Sequence, residues 1–162
     1  KDMFEKKKSV KSFIMEEKKN GINNKQTYEK FSNKIENLRC FIIKRIKKLK
    51  AENKIIFGYG APAKGNVLLN YCKIDNKILD FITDTTTLKQ GRITPGTKIP
   101  IINPKDKPKK YSDMVAFLLA WNYKDAIIKN EKNFMKNGGK FLVPIPKPVL
   151  LWHQGVQDIE GW

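Results

Sequence analysis

One histidine, His153, and two cysteines, Cys40 and Cys72, are all that the chain offers of the residues that most often hold metals. The cysteines stand alone, without metal-ligand spacing. They exclude a disulfide scaffold and a cysteine-built zinc site, and read as reduced, core-type residues of a cytoplasmic protein. No apolar run approaches the length of a bilayer span; the longest, Met114 to Trp121, is strand-sized, so no membrane partner is expected. No secretory signal is visible, and the chain opens on Lys1 rather than Met, which leads us to expect a piece of a longer polypeptide. Internal repeats are missing as well. Arginine is scarce: of 33 basic residues, only Arg39, Arg45 and Arg92 are Arg. Sequence-reading nucleic-acid proteins rely on the bidentate guanidinium. The formal charge of +17 therefore reads as solvated lysine surface, with no specific nucleic-acid partner.

What is present is enough for a real core in one folded domain of 162 residues. The stretch from Lys54 to Asn70 organises it. Lys54 to Phe57 is β-branched or aromatic and too short for a helix, hence a buried strand. Gly58 and Gly60 predict a tight turn, Pro62 suits a first helical turn, and Ala63, Val67 and Leu68 continue at helical spacing. Gly58, Gly60 and Ala63 fit a G-x-G-x-x-A fingerprint, in which a helix start offers N–H groups to a diphosphate.

Upstream, Phe4, Val10, Phe13 and Ile14 give a patchy helical stripe over Asp2 to Lys19, broken at Asn20-Gly21. From Gln26 to Lys50 the stripe strengthens: Tyr28, Phe31, Ile35, Leu38, Ile42, Ile46 and Leu49 recur at three- and four-residue steps. This predicts an amphipathic helix that lays Phe31, Ile35, Leu38 and Ile42 on its own domain. Downstream, Ile78 to Thr83 predicts a second strand ending on Asp84, 21 residues after Ala63, where an acid can reach a ribose hydroxyl. A loop with Gln90 and Arg92 comes next, then a short apolar piece from Lys98 to Ile102. Asp113 to Ala120 predicts a central strand buried on both faces, delivering Trp121 and Asn122 at its carboxyl end. Tyr123 to Lys136 reads as a helix and Lys140 to Val143 as the next strand. Pro144, Pro146 and Pro148 keep the segment after that strand extended and out of a sheet interior. Alternating strands and helices predict an α/β fold, Rossmann-like and doubly wound, with a mainly parallel sheet and flanking helices. The expected organisation is a helical lead-in over 1–53, the nucleotide-binding domain over 54–148 and a tail over 149–162.

Ligands of such sheets collect beyond the strand carboxyl ends. The candidate substrate-binding residues are accordingly Gly58, Tyr59, Gly60, Ala61, Ala63, Lys64, Gly65, Asn66, Asp84, Gln90, Arg92, Trp121 and Asn122. We expect a diphosphate over the Gly58–Gly60 turn, bonded by N–H groups from Gly60 to Gly65. Asp84 then faces the ribose or base, with Arg92 and Asn122 on the sugar side. Gly60→Val is expected to fill the phosphate space while sparing the fold.

The blocks Phe57–Cys72, Thr83-Asp84, Lys89–Ile101, Ala120–Asn122 and Gly138–Pro146 together resemble the C-terminal domain of sugar C-methyltransferases. The resemblance implies a nucleotide-sugar-binding domain, with a UDP- or dTDP-linked sugar as partner. It also implies S-adenosylmethionine for the full-length enzyme and a missing upstream methyltransferase domain. The family's zinc cysteines and catalytic residues belong to those other portions, so no catalytic residue, metal site or confidently bound cofactor is assigned here. A self-contained N-acetyltransferase on a nucleotide-linked amino sugar, with His153 or Asp84 assisting, is the alternative. A nicotinamide-dependent oxidoreductase is a third reading, for which the chain is short. His153, beside Trp152, has no nucleophile or second acid near it in sequence and reads as a packed tail residue.

Overall fold

The computed structural model describes residues 7–158, so Phe4 and the last four residues of the expected tail lie outside the described residues. The described chain forms two compact units that divide between Asn37 and Leu38. The first holds helix α1 (Lys8–Lys19) and the first turns of helix α2 (Lys25–Ala51). No residue of α1 is buried.

The second unit is built on a seven-stranded mixed sheet in the order β3-β2-β1-β4-β5-β6-β7. Its strands are β1 (Ile55–Tyr59), β2 (Ile82–Thr83), β3 (Ile101–Ile102), β4 (Met114–Leu118), β5 (Lys140–Val143), β6 (Val149–Trp152) and β7 (Gly155–Asp158). The first five pair in parallel, and β6 and β7 add antiparallel strands at one edge. The segment read as a tail thus supplies two strands, and His153 sits exposed in the turn between them. The proline segment before β6 does not keep it from the sheet, because β6 joins by antiparallel pairing to β5.

The sheet separates two apolar layers. Side chains alternate across a strand, so Ile56, Val115 and Phe117 enter one layer while Phe57, Met114, Ala116 and Leu118 enter the other. The first layer is closed by Leu38, Ile42, Ile46 and Leu49 of α2 and by Leu68 and Leu69 of helix α3 (Ala63–Cys72). Burying each such side chain contributes roughly 1.5–3 kcal/mol. The second is closed by Phe134 and Met135 of helix α5 (Lys132–Lys136), with Phe57, Phe81, Phe134 and Phe141 in ring contact. As its unbroken apolar run requires, β4 is the middle strand and is buried throughout.

Four expectations are corrected. The α2 stripe is covered only from Leu38 onward: Ile35 is half-buried, while Phe31 is 61 % exposed and Tyr28 56 %. The strand expected over Ile78–Thr83 shrinks to Ile82–Thr83; Ile78 and Leu79 still pack on the core, but from a turn that Asp75 starts by accepting from Lys77 N–H. The helix expected over Tyr123–Lys136 divides into α4 (Lys124–Asn130) and α5 at Glu131, whose carboxylate is drawn to distant partners. Of the two cysteines, Cys72 is buried but Cys40 is exposed on α2. Among the described residues, no helix is long and apolar enough to cross a membrane.

Candidate functional site

The structure sorts the candidate residues by what the local chain makes of them. Gly58, Gly60 and Gly65 belong to the corner between β1 and α3. A Cβ on Gly58 would lie 2.7 Å from Ile82 Cγ1 and 2.9 Å from Leu119 Cδ1, so this glycine lets β1 pack tightly between its neighbours. Gly60 turns with φ +80°, and its missing Cβ faces Ala120. Gly65 brings α3 down onto Leu119, the close helix–strand approach that a fingerprint assigns to its third small residue. Ala63, placed in that role by spacing, is exposed instead.

Backbone donors of the corner are partly spent within the fold. Gly60 N–H donates to Thr83 O at 2.8 Å, and Ala61 N–H donates to Asp84 Oδ2 at 2.7 Å. The donors expected for a diphosphate from Gly60 onward therefore narrow to the first turn of α3. Pro62 caps that helix without a side-chain hydrogen bond, leaving the first-turn N–H groups of Ala63 and Lys64 at its positive end.

Asp84 is 9 % exposed and anchors a clasp. Besides Ala61 N–H it accepts from Thr86 N–H at 2.8 Å and from the Lys89 ammonium at 3.2 Å, and the same ammonium donates to Ala61 O at 2.9 Å. Gln90 continues the clasp: its amide donates to Asp84 O and accepts from Asn103. Burial pushes the Asp84 carboxyl up, but the bonds from Thr86, Ala61 and Lys89 outweigh it and hold the group below the usual carboxylate range. Lys89 lines the cavity described below and is a side chain that spacing alone does not single out; its only signal is its place between the acid and Gln90.

Between α3 and the loop after β2 lies a cavity of about 580 Å³. Ala61, Ala63 and Val67 line it from one side, Lys89, Arg92 and Ile93 from the other, and Asn66 joins them. Buried Thr94 and Thr97 bond one another, and Thr94 Oγ1 accepts from Ile99 N–H, which shapes the loop. The Asn70 amide ties that loop to α3 by donating to both Asn66 O and Pro95 O. Asn66 Oδ1 is buried and accepts no hydrogen bond. A buried acceptor left so is costly, about 1–3 kcal/mol.

The remaining candidates fall elsewhere. Lys64 bonds the Asn122 side-chain oxygen and lies over the Trp121 ring, 4.7 Å from its centroid, so these three form one cluster where β4 ends. Tyr59 points to the opposite layer. Its hydroxyl donates to Glu131 at 3.0 Å, and Glu131 pairs at 3.2 Å with Lys107, which lies over the Tyr111 and Phe134 rings. Burial and the Glu131 carboxylate both push the Tyr59 phenol well up. No spacing signal links residues 59, 107 and 131. Among the described residues, no group of three His, Cys, Asp or Glu side chains is placed to hold a metal ion.

Fold and site together define an α/β domain with a mixed sheet. Its cavity opens beyond the carboxyl ends of β1 and β2, apolar in its walls and bordered by two cations. Residues 1–146 match the model of the C-methyltransferase C-terminal domain, and the chain belongs to that family. It is 42 % identical over 140 residues to the C-methyltransferase NovU of Streptomyces niveus, a match covering 86 % of this chain and 33 % of that protein. The chain thus spans about a third of the length of this relative.

Proposed function

We propose that this domain binds the nucleoside-diphosphate end of a nucleotide-linked sugar, for an S-adenosylmethionine-dependent methyl transfer carried out by residues outside this chain. The observation that carries the reading is the cavity against the start of α3, with Lys89 and Arg92 at its border. Arg92 and the positive end of α3 suit the anionic diphosphate, and Lys89, bonded to Asp84 and Ala61 O, keeps one donor for it. The apolar walls suit a base and ribose. The strand order reverses between β1 and β4, which supports reading the sheet as doubly wound, with ligands beyond the carboxyl ends of its strands. Kinship to a C-methyltransferase supplies the reaction class, and neither comparison supports the acyltransferase alternative. S-adenosylmethionine carries no diphosphate for Arg92 and the start of α3 to hold. In the intact enzyme that cofactor supplies the methyl group; this chain's residues hold and orient the acceptor.

Calorimetry on the chain tests the proposal. UDP- and dTDP-sugars are expected to bind, S-adenosylmethionine, acetyl-CoA and NAD not. Arg92→Ala, at an exposed position, is expected to weaken nucleotide-sugar binding by a charge-assisted bond, ~1.5–3 kcal/mol. Unaltered affinity in that variant would place the ligand elsewhere.

A further inference from the structure

We infer that α1 and the first turns of α2 form a docking surface, and that its occupant is the methyl-transferring portion of a family enzyme. The inference rests on family membership and not on nucleotide-sugar binding. Along α2 one stripe runs from Tyr28 through Phe31, Ile35, Leu38, Ile42 and Ile46 to Leu49. Its later part is buried, while its first two members are more than half exposed. On α1, Val10, Phe13 and Ile14 share a face at i, i+3 and i+4 spacing, exposed to 42 %, 65 % and 37 %. A helix that buries nothing loses the packing that stabilises most protein helices. Two successive helices each present exposed apolar side chains, and exposed apolar faces mark interaction sites.

Three observations select the occupant. The family match begins at residue 1, so these helices belong to the family's domain rather than to an appendage. The relative is three times longer than the matched segment, which leaves about two thirds of it as a neighbour for the domain. The charge around the face also chooses. Lys11 and Lys18 flank the α1 face and Lys25 and Lys34 the α2 stripe, all exposed, with Lys25 paired to Glu29, and acids are fewer over these helices. A second copy would set lysine against lysine, whereas a partner with an apolar centre and an acidic rim is attracted.

Amide hydrogen exchange tests this by reading coverage directly. The first sample is the 162-residue chain; the second is a chimera in which it replaces the matching third of the Streptomyces niveus enzyme. Exchange over 8–32 is expected to be fast in the chain alone, about tenfold or more slower in the chimera, and fast again in a chimera with Phe13→Lys and Phe31→Lys. Adding the enzyme's other two thirds to the chain in trans gives the same reading without relying on the chimera to fold. Equal exchange over 8–32 with and without the methyl-transferring portion, in both formats, would overturn the inference. So would self-association of the chain in sedimentation velocity that the double substitution abolishes, since the occupant would then be a second copy.

Discussion

A methyl group on Gly65 would sit 2.8 Å from Leu119 Cβ, and one on Gly58 closer still to Ile82. Both glycines are therefore required by packing whatever they do for a ligand. Gly65→Ala is expected to destabilise by about 1–3 kcal/mol through overpacking, read as a lower midpoint in urea melts. The same geometry revises the expectation for Gly60→Val. At φ +80°, facing Ala120, a branched residue strains the turn itself, so that variant reports on folding before it reports on phosphate. Asp84 offers a pH test. Its carboxyl is held below the usual range in the folded chain, so the unfolded chain binds the proton first as pH falls. Its stabilisation is thus complete at neutral pH and is lost from about pH 4 downward. Asp84→Asn is expected to be less stable than the parent at pH 7 and to show a shallower fall in stability between pH 5 and 3. Parallel denaturation curves over that range would contradict the assignment.

At the scale of elements, what the sequence discloses depends on how local its signal is. β4 is legible because Met114–Leu118 is apolar without interruption, and only a strand buried on both faces needs that. The corner after β1 is legible from Gly58 and Gly60. The break between α4 and α5 is not, because it hangs on Glu131 reaching Tyr59, 72 residues away, and Lys107, 24 residues away. The cavity is half legible: Asn66 and Arg92 stand out in the sequence, but Lys89 joins them only through its bonds to Asp84 and Ala61. The α2 stripe is legible as amphipathic, yet periodicity cannot say where along a helix the covering protein stops. The two ends should respond differently. Ile42→Ala, at a fully buried position, is expected to cost about 2–5 kcal/mol. Phe31→Ala is expected to change the stability of the chain alone by no more than about 0.5 kcal/mol. Equal losses at both positions would mean that Phe31 is covered.

For the molecule as a whole, the charge of +17 and the small number of arginines bear on the same question. Lysines dispersed over helices and loops give a field without a reading head, so any binding to duplex DNA is expected to be sequence-independent and to vanish as salt is raised to physiological strength. Fluorescence anisotropy across a salt series checks this. The central claim, that a nucleoside diphosphate sits between α3 and the loop after β2, is tested most directly by nitrogen–proton NMR spectra of the labelled chain during titration with dTDP and UDP. The account predicts that the largest shifts fall on the amides of Ala63, Lys64 and Asn66 and on those of Lys89 to Ile93. Shifts centred instead on the Tyr59–Glu131–Lys107 cluster, or none at millimolar nucleotide, would contradict it.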